Sequence, residues 1–283
     1  MLTVLAPAKI NLTLEVLHQR PDDFHEIRSV IQTINLCDRL RFRLSHRLQF
    51  SSDNPDLVPE ESLVSRAAAL LQQTSGCFRG ATIEIGKRIP LASGLGGDSS
   101  DAAAILRGLN KLWQLGLSLA ELLELAPRLG SDVAFFLYGG TALVEGRGER
   151  VTPLPLLPRR WVVLVIPDVP RLPEKTRHLY ASLKLSHYTD GQITEGLVKV
   201  LNEGSEFKSS MLFNTFENIA FDFFPKLEVY KEHFIKLGAS PVHLAGSGPT
   251  LFTMLEDKAQ AEDLYRRCQQ QGLECYLAET VHL

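Results

Sequence analysis

Residues 90–103 of the chain read Pro-Leu-Ala-Ser-Gly-Leu-Gly-Gly-Asp-Ser-Ser-Asp-Ala-Ala, a loop rich in glycine and serine that enters an alanine-rich segment. Glycines without a Cβ let backbone N–H groups crowd around an anion. The serines add hydroxyl donors, and a helix predicted over residues 102–113 adds the positive end of its dipole. The stretch therefore predicts a loop that holds a polyphosphate.

Other interpretations of this loop stay open at this point. It is not a Walker loop, because no Gly-Lys-Ser/Thr ends it, and it lacks the acidic partner of a dinucleotide fingerprint. It could also be a flexible connection whose serine caps the next helix. Glycine patterns alone are weak signals.

Near the N-terminus, residues 9–17 alternate between apolar and polar side chains. This period of two predicts a half-buried strand, with Lys9 and Asn11 side by side on its polar face. A lysine in such a place is usually solvated, and an asparagine there is often an ordinary surface residue. Both could equally contact a polar ligand.

The remaining chain reads as two α+β halves. Three prolines break it at positions 153, 155 and 158, which predicts a boundary near residues 153–160. The predicted strands are 26–50 in part, 81–85, 139–151 in part, 161–166, 242–244, 251–255 and 273–281. The predicted helices are 61–73, 102–113, one opened by a Ser118–Glu121 capping box and ending near Gly130, a short apolar element at 133–138, most of 174–203, parts of 214–237, and 257–271.

Asp132 follows the helix-ending Gly130 and Ser131. The ordinary interpretation is a cap for the next helix, a frequent role of both Ser and Asp. The functional one is a carboxylate that accepts a proton from a hydroxyl. From this segment alone the cap is the commoner case. The turn at residues 245–249, Ala-Gly-Ser-Gly-Pro, has the same ambiguity between a tight strand connection and a ligand contact.

Composition narrows the class of protein. Thirty basic and 33 acidic side chains leave a net charge of −3, and no basic stripe suggests a nucleic-acid binder. The four cysteines lack C-x-x-C spacing, so we expect thiols of a reducing compartment rather than structural zinc or disulfides. No stretch resembles a signal peptide or a membrane span, so we expect a cytoplasmic protein with neither membrane nor nucleic-acid partners.

Four segments in this order resemble the GHMP kinase superfamily. They are Pro7–Leu12 (PAKINL), Lys87–Ala103, Gly130–Phe136 (GSDVAFF) and Leu244–Phe252 (LAGSGPTLF), and together they span nearly the whole chain. Within the superfamily, the opening PAKINL and the Phe24-His25 pair resemble the members that act on 4-diphosphocytidyl-2-C-methyl-D-erythritol.

The resemblance implies a two-domain α+β GHMP kinase fold with the active site in the inter-domain cleft, and domains at residues 1–155 and 156–283. It implies ATP as donor, Mg²⁺ as its companion, and transfer to a hydroxyl of that cytidine diphosphate compound as small-molecule substrate. The implied catalytic residues are Lys9 and Asp132. The implied ATP-binding residues are Lys87, Pro90, Leu91, Ala92, Ser93, Gly94, Leu95, Gly96, Gly97, Asp98, Ser99 and Ser100. The implied substrate-binding residues are Asn11, Phe24, His25, Thr176 and Tyr180, and no residue is implied as a metal ligand.

Three positions depart from the family pattern. Asp98 stands where a third consecutive glycine is common, Ser62 where an asparagine near the adenine is common, and Phe24 where tyrosine is usual. The Asp98 carboxylate would repel phosphates unless it turned outward or toward Mg²⁺. The rival interpretations are a GHMP kinase for mevalonate, homoserine or a sugar, and a non-catalytic ligand sensor on the same scaffold.

Overall fold

The computed structural model describes residues 1–170, 172 and 174–282, and this part of the chain mixes eleven strands with nine α-helices. The strands are β1 (Leu2–Gln19), β2 (His25–Ser45), β3 (Gln49–Ser52), β4 (Gly80–Gly86), β5 (Thr141–Gly146), β6 (Arg150–Pro153), β7 (Trp161–Val165), β8 (Phe213–Asn214), β9 (His243–Leu244), β10 (Leu251–Leu255) and β11 (Cys275–Glu279). The helices are α1 (Leu63–Ser75), α2 (Gly97–Trp113), α3 (Leu119–Leu125), α4 (Val133–Tyr138), α5 (Lys175–Ala181), α6 (Gln192–Glu203), α7 (Glu217–Phe223), α8 (Leu227–Lys236) and α9 (Lys258–Gln270). The predicted α+β class is confirmed.

The chain is divided into two compact units, and each unit is made of several separate segments of the sequence. The first unit comprises Met1–Ala8, Leu36–Leu91 and Gly96–Gly139, and the second comprises Lys9–Asn35, Ala92–Leu95 and Gly140–Leu283. The boundary predicted near residues 153–160 falls inside the second unit and stays a prediction.

The first unit contains β3, β4 and the C-terminal part of β2, on which α2 packs. β3 pairs in parallel with β4, and β4 pairs antiparallel with the C-terminal half of β2. Gly108, in the middle of α2, faces Phe42 of β2, and a Cβ at this glycine would lie 2.5 Å from the ring. The helix therefore carries glycine here because the strand side chain fills the space of any larger residue.

The second unit contains a four-stranded antiparallel sheet in the order β11-β7-β10-β9. Its strands contain short apolar runs such as Val162–Val165, whose side chains are all buried. A continuous apolar run of this length is typical of a strand that is covered on both faces of the sheet. The core of this unit also contains Phe216, which directly precedes α7, together with Phe234 of α8 and Leu264 of α9. Each such side chain contributes roughly 1.5–3 kcal/mol when fully buried.

The prediction that β1 is only half buried was wrong. The polar residues Lys9, Asn11, Thr13 and Glu15 are each 5% exposed or less, like their apolar neighbours. Helix α6 supplies part of the reason, since the Thr194 amide donates to Glu15 Oε2 at 2.7 Å and its hydroxyl to Thr13 Oγ1 at 2.9 Å. Polar groups tolerate burial when they are hydrogen-bonded in this way.

Most predicted elements are confirmed to within a few residues. The capping box of α3 is present, with Glu121 Oε2 accepting from the Ser118 amide at 2.7 Å. Helix α2 begins at Gly97, five residues earlier than predicted, because the second half of the glycine loop is already helical. The short strand β8 was not predicted. Among the described residues, no helix combines the length and the apolar character that a membrane crossing requires.

Candidate active site

Two glycine-rich turns meet in the second unit, residues 92–95 and residues 245–249. A Cβ on Gly94 would lie 2.2 Å from the carbonyl oxygen of Ala245, and a Cβ on Gly246 would lie 2.8 Å from the carbonyl oxygen of Gly94. Both glycines also have positive φ, of 88° and 55°. Glycine is needed at these positions because two backbones touch there in a left-handed conformation.

The turn at residues 245–249 is a tight connection between two strands, as its ordinary interpretation predicted. It joins β9 to β10, and the Gly248 amide donates to the Ala245 carbonyl at 2.8 Å. The side chain of Asn214 stabilises this turn, since its amide group donates to the carbonyls of Leu244 at 2.9 Å and Gly246 at 2.8 Å. The turn is thus held rigidly beside the first one.

Lys9 lies at the same junction, on β1. Its amide donates to the Leu95 carbonyl at 2.9 Å, and its ammonium donates to Asn11 Oδ1 at 2.7 Å. The Asn11 amide in turn donates to Ser29 Oγ at 2.8 Å. A Cβ on Gly246 would lie 3.0 Å from the ammonium, so the second turn passes directly over it. The interpretation of Lys9 as a solvated surface lysine was therefore wrong.

The first turn of α2 contains the remaining part of the predicted phosphate loop. Gly96 precedes the helix with φ 75°, and the Cβ position of Gly97 lies 3.1 Å from the Ile89 side chain. Asp98 is exposed, in the first helical turn where a carboxylate is favoured by the helix dipole. The buried hydroxyl oxygen of Ser100 has no hydrogen-bond partner among the described residues. This helix start can accept an anion through its N–H groups.

Lys87, predicted to bind ATP, lies in a buried cluster of charges in the first unit. Its ammonium is 2.5 Å from Asp38 Oδ2 and 2.9 Å from Asp101 Oδ2, and its side chain is 1% exposed. Asp38 Oδ1 also accepts from the amides of Arg88 and Ile89. The cluster anchors the chain that enters the glycine loop, and a direct bond from Lys87 to ATP would require its ammonium to leave both carboxylates.

Burial sets the protonation of this cluster. Burial lowers the pKa of Lys87, but the carboxylates of Asp101 and Asp38 outweigh it and raise the pKa above its ordinary value. Burial raises the pKa of Asp101 to about 8, against the attraction of the Lys87 ammonium. Protonation of Asp101 removes one charge from this buried cluster, which a dry environment favours.

Asp132 directly precedes α4 and is partly exposed. Its side chain makes no capping hydrogen bond to that helix. Asp132 therefore occupies the N-cap position of α4, as the cap interpretation predicted, but its side chain does not form the capping hydrogen bond. Ser62, in contrast, does cap a helix, because its hydroxyl oxygen accepts from the Val64 amide at the start of α1 at 3.3 Å.

An aromatic group surrounds His25 in the second unit. Its ring stacks on Tyr180 with 4.8 Å between centroids, and His25 Nε2 lies 3.2 Å from the Tyr188 hydroxyl. Burial, with a smaller effect of His18, lowers the pKa of His25, so the imidazole is neutral at pH 7. A neutral imidazole offers one N–H donor and one acceptor.

The other predicted substrate residues lie around this group. Phe24 is 52% exposed, and the guanidinium of Arg147 lies 4.6 Å from its ring centroid. Thr176, one helical turn before Tyr180 on α5, pairs its hydroxyl with that of Ser247 at 2.9 Å. Helix α5 therefore connects the second glycine turn to the aromatic group.

Several residues of these sites were missed from the sequence. Asp101 stands in the quoted loop motif, and an acid one turn into a helix could have been flagged as the partner of a buried cation. Tyr188, Arg147 and Asn214 carry no sequence signal, because each acts on residues at least 30 positions away.

Comparison with known proteins identifies the family. The model of the GHMP kinases N-terminal domain matches residues 62–140, and that of the GHMP kinases C-terminal domain matches residues 195–273. A protein of Dehalococcoides mccartyi named 4-diphosphocytidyl-2-C-methyl-D-erythritol kinase is 51% identical over 99% of both chains. The chain belongs to the GHMP kinase family. As a GHMP kinase it uses ATP.

Further GHMP kinases agree with this assignment. A Geobacillus protein with the same kinase name is 40% identical and covers 93% of this chain and 91% of its own. A crystal structure of 4-(cytidine 5'-diphospho)-2C-methyl-D-erythritol kinase superposes with a TM-score of 0.82 at 32% identity, over 99% of both chains. Mevalonate kinase of L. major in complex with R-mevalonate shares the fold alone, with a TM-score of 0.73 at 16% identity over 100% of this chain and 96% of its own. The predicted GHMP kinase fold is confirmed.

Proposed function

We propose that this GHMP kinase transfers the γ-phosphoryl group of ATP to a hydroxyl of 4-diphosphocytidyl-2-C-methyl-D-erythritol, in the non-mevalonate pathway of isoprenoid precursor biosynthesis. By resemblance the acceptor is the 2-hydroxyl. The observation that carries the proposal is the full-length identity of 51% with a kinase named for this substrate. The aromatic group around His25 supports it from the structure.

The His25 group suits a cytosine. Cytosine presents an exocyclic amine as donor and ring acceptors beside it. A neutral imidazole can complement either group through Nδ1, since Nε2 pairs with the Tyr188 hydroxyl. Phe24 has an exposed ring, and aromatic rings bind bases by stacking. Mevalonate and homoserine contain no base, so a kinase for either would have no use for this arrangement.

The ATP phosphates are assigned to residues 90–100. The N–H groups at the start of α2 and the positive end of its dipole suit an anion, and the glycines permit close backbone approach. Lys87 supports this loop through its contacts with Asp38 and Asp101.

We infer that Mg²⁺ enters the site as a companion of ATP. Within the described part of the chain, no group of three or more His, Cys, Asp or Glu side chains could hold a metal. Mg²⁺ in kinases is bound mainly through substrate phosphates and one or two carboxylates. Asp98, exposed in the first turn of α2, is the candidate carboxylate. Bound Mg²⁺ would offset the charge on the phosphates.

The chemical roles are assigned to Lys9 and Asp132. Phosphoryl transfer depends mainly on positioning and on neutralisation of charge. The Lys9 ammonium is positioned by Asn11, which is itself held by Ser29, so its place is fixed before substrate binds. Asp132, at the N-cap position of α4, would accept the proton of the attacking hydroxyl.

A phosphoryl-transfer assay tests the proposal. ADP formation is measured with 4-diphosphocytidyl-2-C-methyl-D-erythritol, mevalonate and homoserine as acceptors, and with 2-C-methyl-D-erythritol 4-phosphate as the matched acceptor that lacks the cytidine. We expect turnover with the first compound alone. Comparable kcat/KM on the acceptor without cytidine would refute the substrate assignment, and ADP formation without any acceptor dependence would refute the kinase activity.

A further inference from the structure

Lys175, the first residue of α5, bridges the two glycine-rich turns of the second unit. Its ammonium donates to the carbonyl oxygen of Ala92 at 2.7 Å and to that of Gly248. The first carbonyl belongs to the loop assigned to phosphate and the second to the turn over Lys9. A single ammonium therefore lies where both turns converge.

The backbone on both sides of this contact is unusual. Ala92 has φ 54° and Glu174 has φ 49°, and both are residues with a Cβ in the left-handed region. This conformation is unfavourable for a residue with a Cβ. The chain thus adopts an unfavourable backbone where Lys175 reaches the turns, as is common at ligand sites.

The charges around Lys175 are unbalanced. Burial lowers the pKa of Lys175 to about 7, and the ammonium of Lys9, the charged group facing it from β1, lowers it as well. The two turns contain no titratable side chain. Glu174, its neighbour in the chain, pairs with Arg177 at 3.1 Å instead. Among the described residues, no carboxylate counters the charge of Lys175.

A half-buried ammonium without a countercharge is unfavourable unless an anion arrives. Carbonyl oxygens solvate the group but do not neutralise it. An ammonium has three N–H donors, and the two carbonyls of Ala92 and Gly248 use two of them. The third N–H and the net positive charge suit an oxyanion.

We propose that Lys175 binds a phosphate oxyanion of a substrate at the junction of the two glycine-rich turns. The proposal rests on the proposed function, since that reaction brings two phosphate-bearing molecules to the protein. When the anion binds, the neutral fraction of Lys175 takes up a proton from the solvent and becomes the ammonium of an ion pair. No bond other than N–H forms, and the buffer supplies the proton.

Two substrates carry the required chemistry. The oxyanion is either a phosphate of ATP or the diphosphate of the cytidine-bearing acceptor. Each source has its own probe, the magnesium complex of a non-hydrolysable ATP analogue for the first and cytidine diphosphate for the second. The probe that requires Lys175 identifies the source.

Isothermal titration calorimetry in buffers of different ionisation enthalpy measures the proton uptake directly. With a pKa of about 7, Lys175 is about one quarter protonated at pH 7.5. Full protonation in the complex then takes up roughly 0.7–0.8 proton per site. We expect this uptake for at least one probe bound to the wild-type chain.

Variants assign the proton to Lys175. Lys175→Met should abolish the uptake and weaken that probe by about 10-fold to 100-fold, the usual loss for a charged hydrogen bond. Lys175→Arg, always charged, should bind the probe without uptake, which keeps the test valid should the Met variant fail to fold. Lys199→Met removes an exposed lysine of α6 as a matched control and should leave uptake and affinity unchanged.

The proposal is overturned by three results. These are no proton uptake by the wild type with either probe, no binding of either probe, or the same uptake in Lys175→Met and Lys175→Arg as in the wild type. Failure of the proposed function has a different signature. In that case an anion probe still binds with Lys175-dependent uptake, while the cytidine-bearing acceptor is not phosphorylated.

Discussion

Replacing Gly94 by Ala would separate the two glycine-rich turns. The new Cβ would lie 2.2 Å from the Ala245 carbonyl oxygen and 2.9 Å from the backbone N and O of Gly248. Ordinary contact begins near 3.4 Å, so one turn must move by about 1 Å. All three contacts are backbone atoms, and a different side-chain rotamer cannot relieve them.

Two costs follow from this geometry. The left-handed φ of 88° costs alanine about 1–2 kcal/mol, which lowers the melting temperature by roughly 2–4 °C for each kcal/mol in a chain of this size. The displacement of about 1 Å would move one of the two turns. The first turn is part of the predicted phosphate loop, and its Leu95 carbonyl accepts from the Lys9 amide. A misplacement of this size can cost about 100-fold in rate. We therefore expect kcat/KM to fall about 100-fold.

Gly272→Ala is the matched control. Gly272 also lies in the second unit and has φ 71°, but no atom lies within 4 Å of its Cβ position. In this variant only the left-handed φ is unfavourable. We therefore expect a similar loss of melting temperature and an unchanged kcat/KM. Steady-state assays and thermal melts of both variants decide the matter. Equal activity of Gly94→Ala and Gly272→Ala would show that the contact between the turns does not position the site.

Three further predictions concern other parts of the protein. Asp132→Asn should lower kcat by about 10²–10⁴ with unchanged ATP affinity, and full activity would end the general-base assignment. Asp101 has a folded pKa of about 8 and an unfolded pKa of about 3.9, so its contribution to stability is present at low pH and is lost as pH rises toward 8. Asp101→Asn cannot ionise, so its melting temperature relative to the wild type should increase between pH 5 and pH 8.5, and a difference independent of pH contradicts the raised pKa. Phe24→Ala should raise KM for the cytidine-bearing acceptor about 10-fold, from a stacking energy of roughly 1–3 kcal/mol, whereas Phe78→Ala, at a 95% exposed position, should leave KM unchanged.

Local structure could be predicted because it depends on neighbours in the sequence. The period of two in residues 9–17 predicted β1, and the Ser118–Glu121 pair predicted the start of α3 from the hydrogen bonds those two side chains can form. The order of the four family motifs predicted the GHMP kinase fold, which the family models confirm. Boundaries were less accurate, and α2 begins earlier because a glycine-rich segment can adopt helical geometry.

Predicting burial was less successful, since a side chain becomes buried only when distant elements cover it. The alternation in β1 predicted a solvated polar face, whereas in the structure Thr194 of α6 contacts Glu15 on that face. Lys87 stays predicted to bind ATP, but the sequence did not indicate that Asp38 and Asp101, 49 and 14 residues away, contact its ammonium.

What the sequence by itself determined is the inventory of elements, the family and the residue types that its chemistry requires. What only the tertiary structure decided is how those residues are held. Gly94 was predicted to make room for an anion, yet the folded chain also requires it because residues 245–249 pass against it. Lys175 carried no signal, and its lowered pKa arises only where burial and Lys9 act on it together. The physical reason is that hydrogen bonds of caps and turns are local, whereas desolvation, close backbone contact and charge interactions depend on segments that only folding brings together.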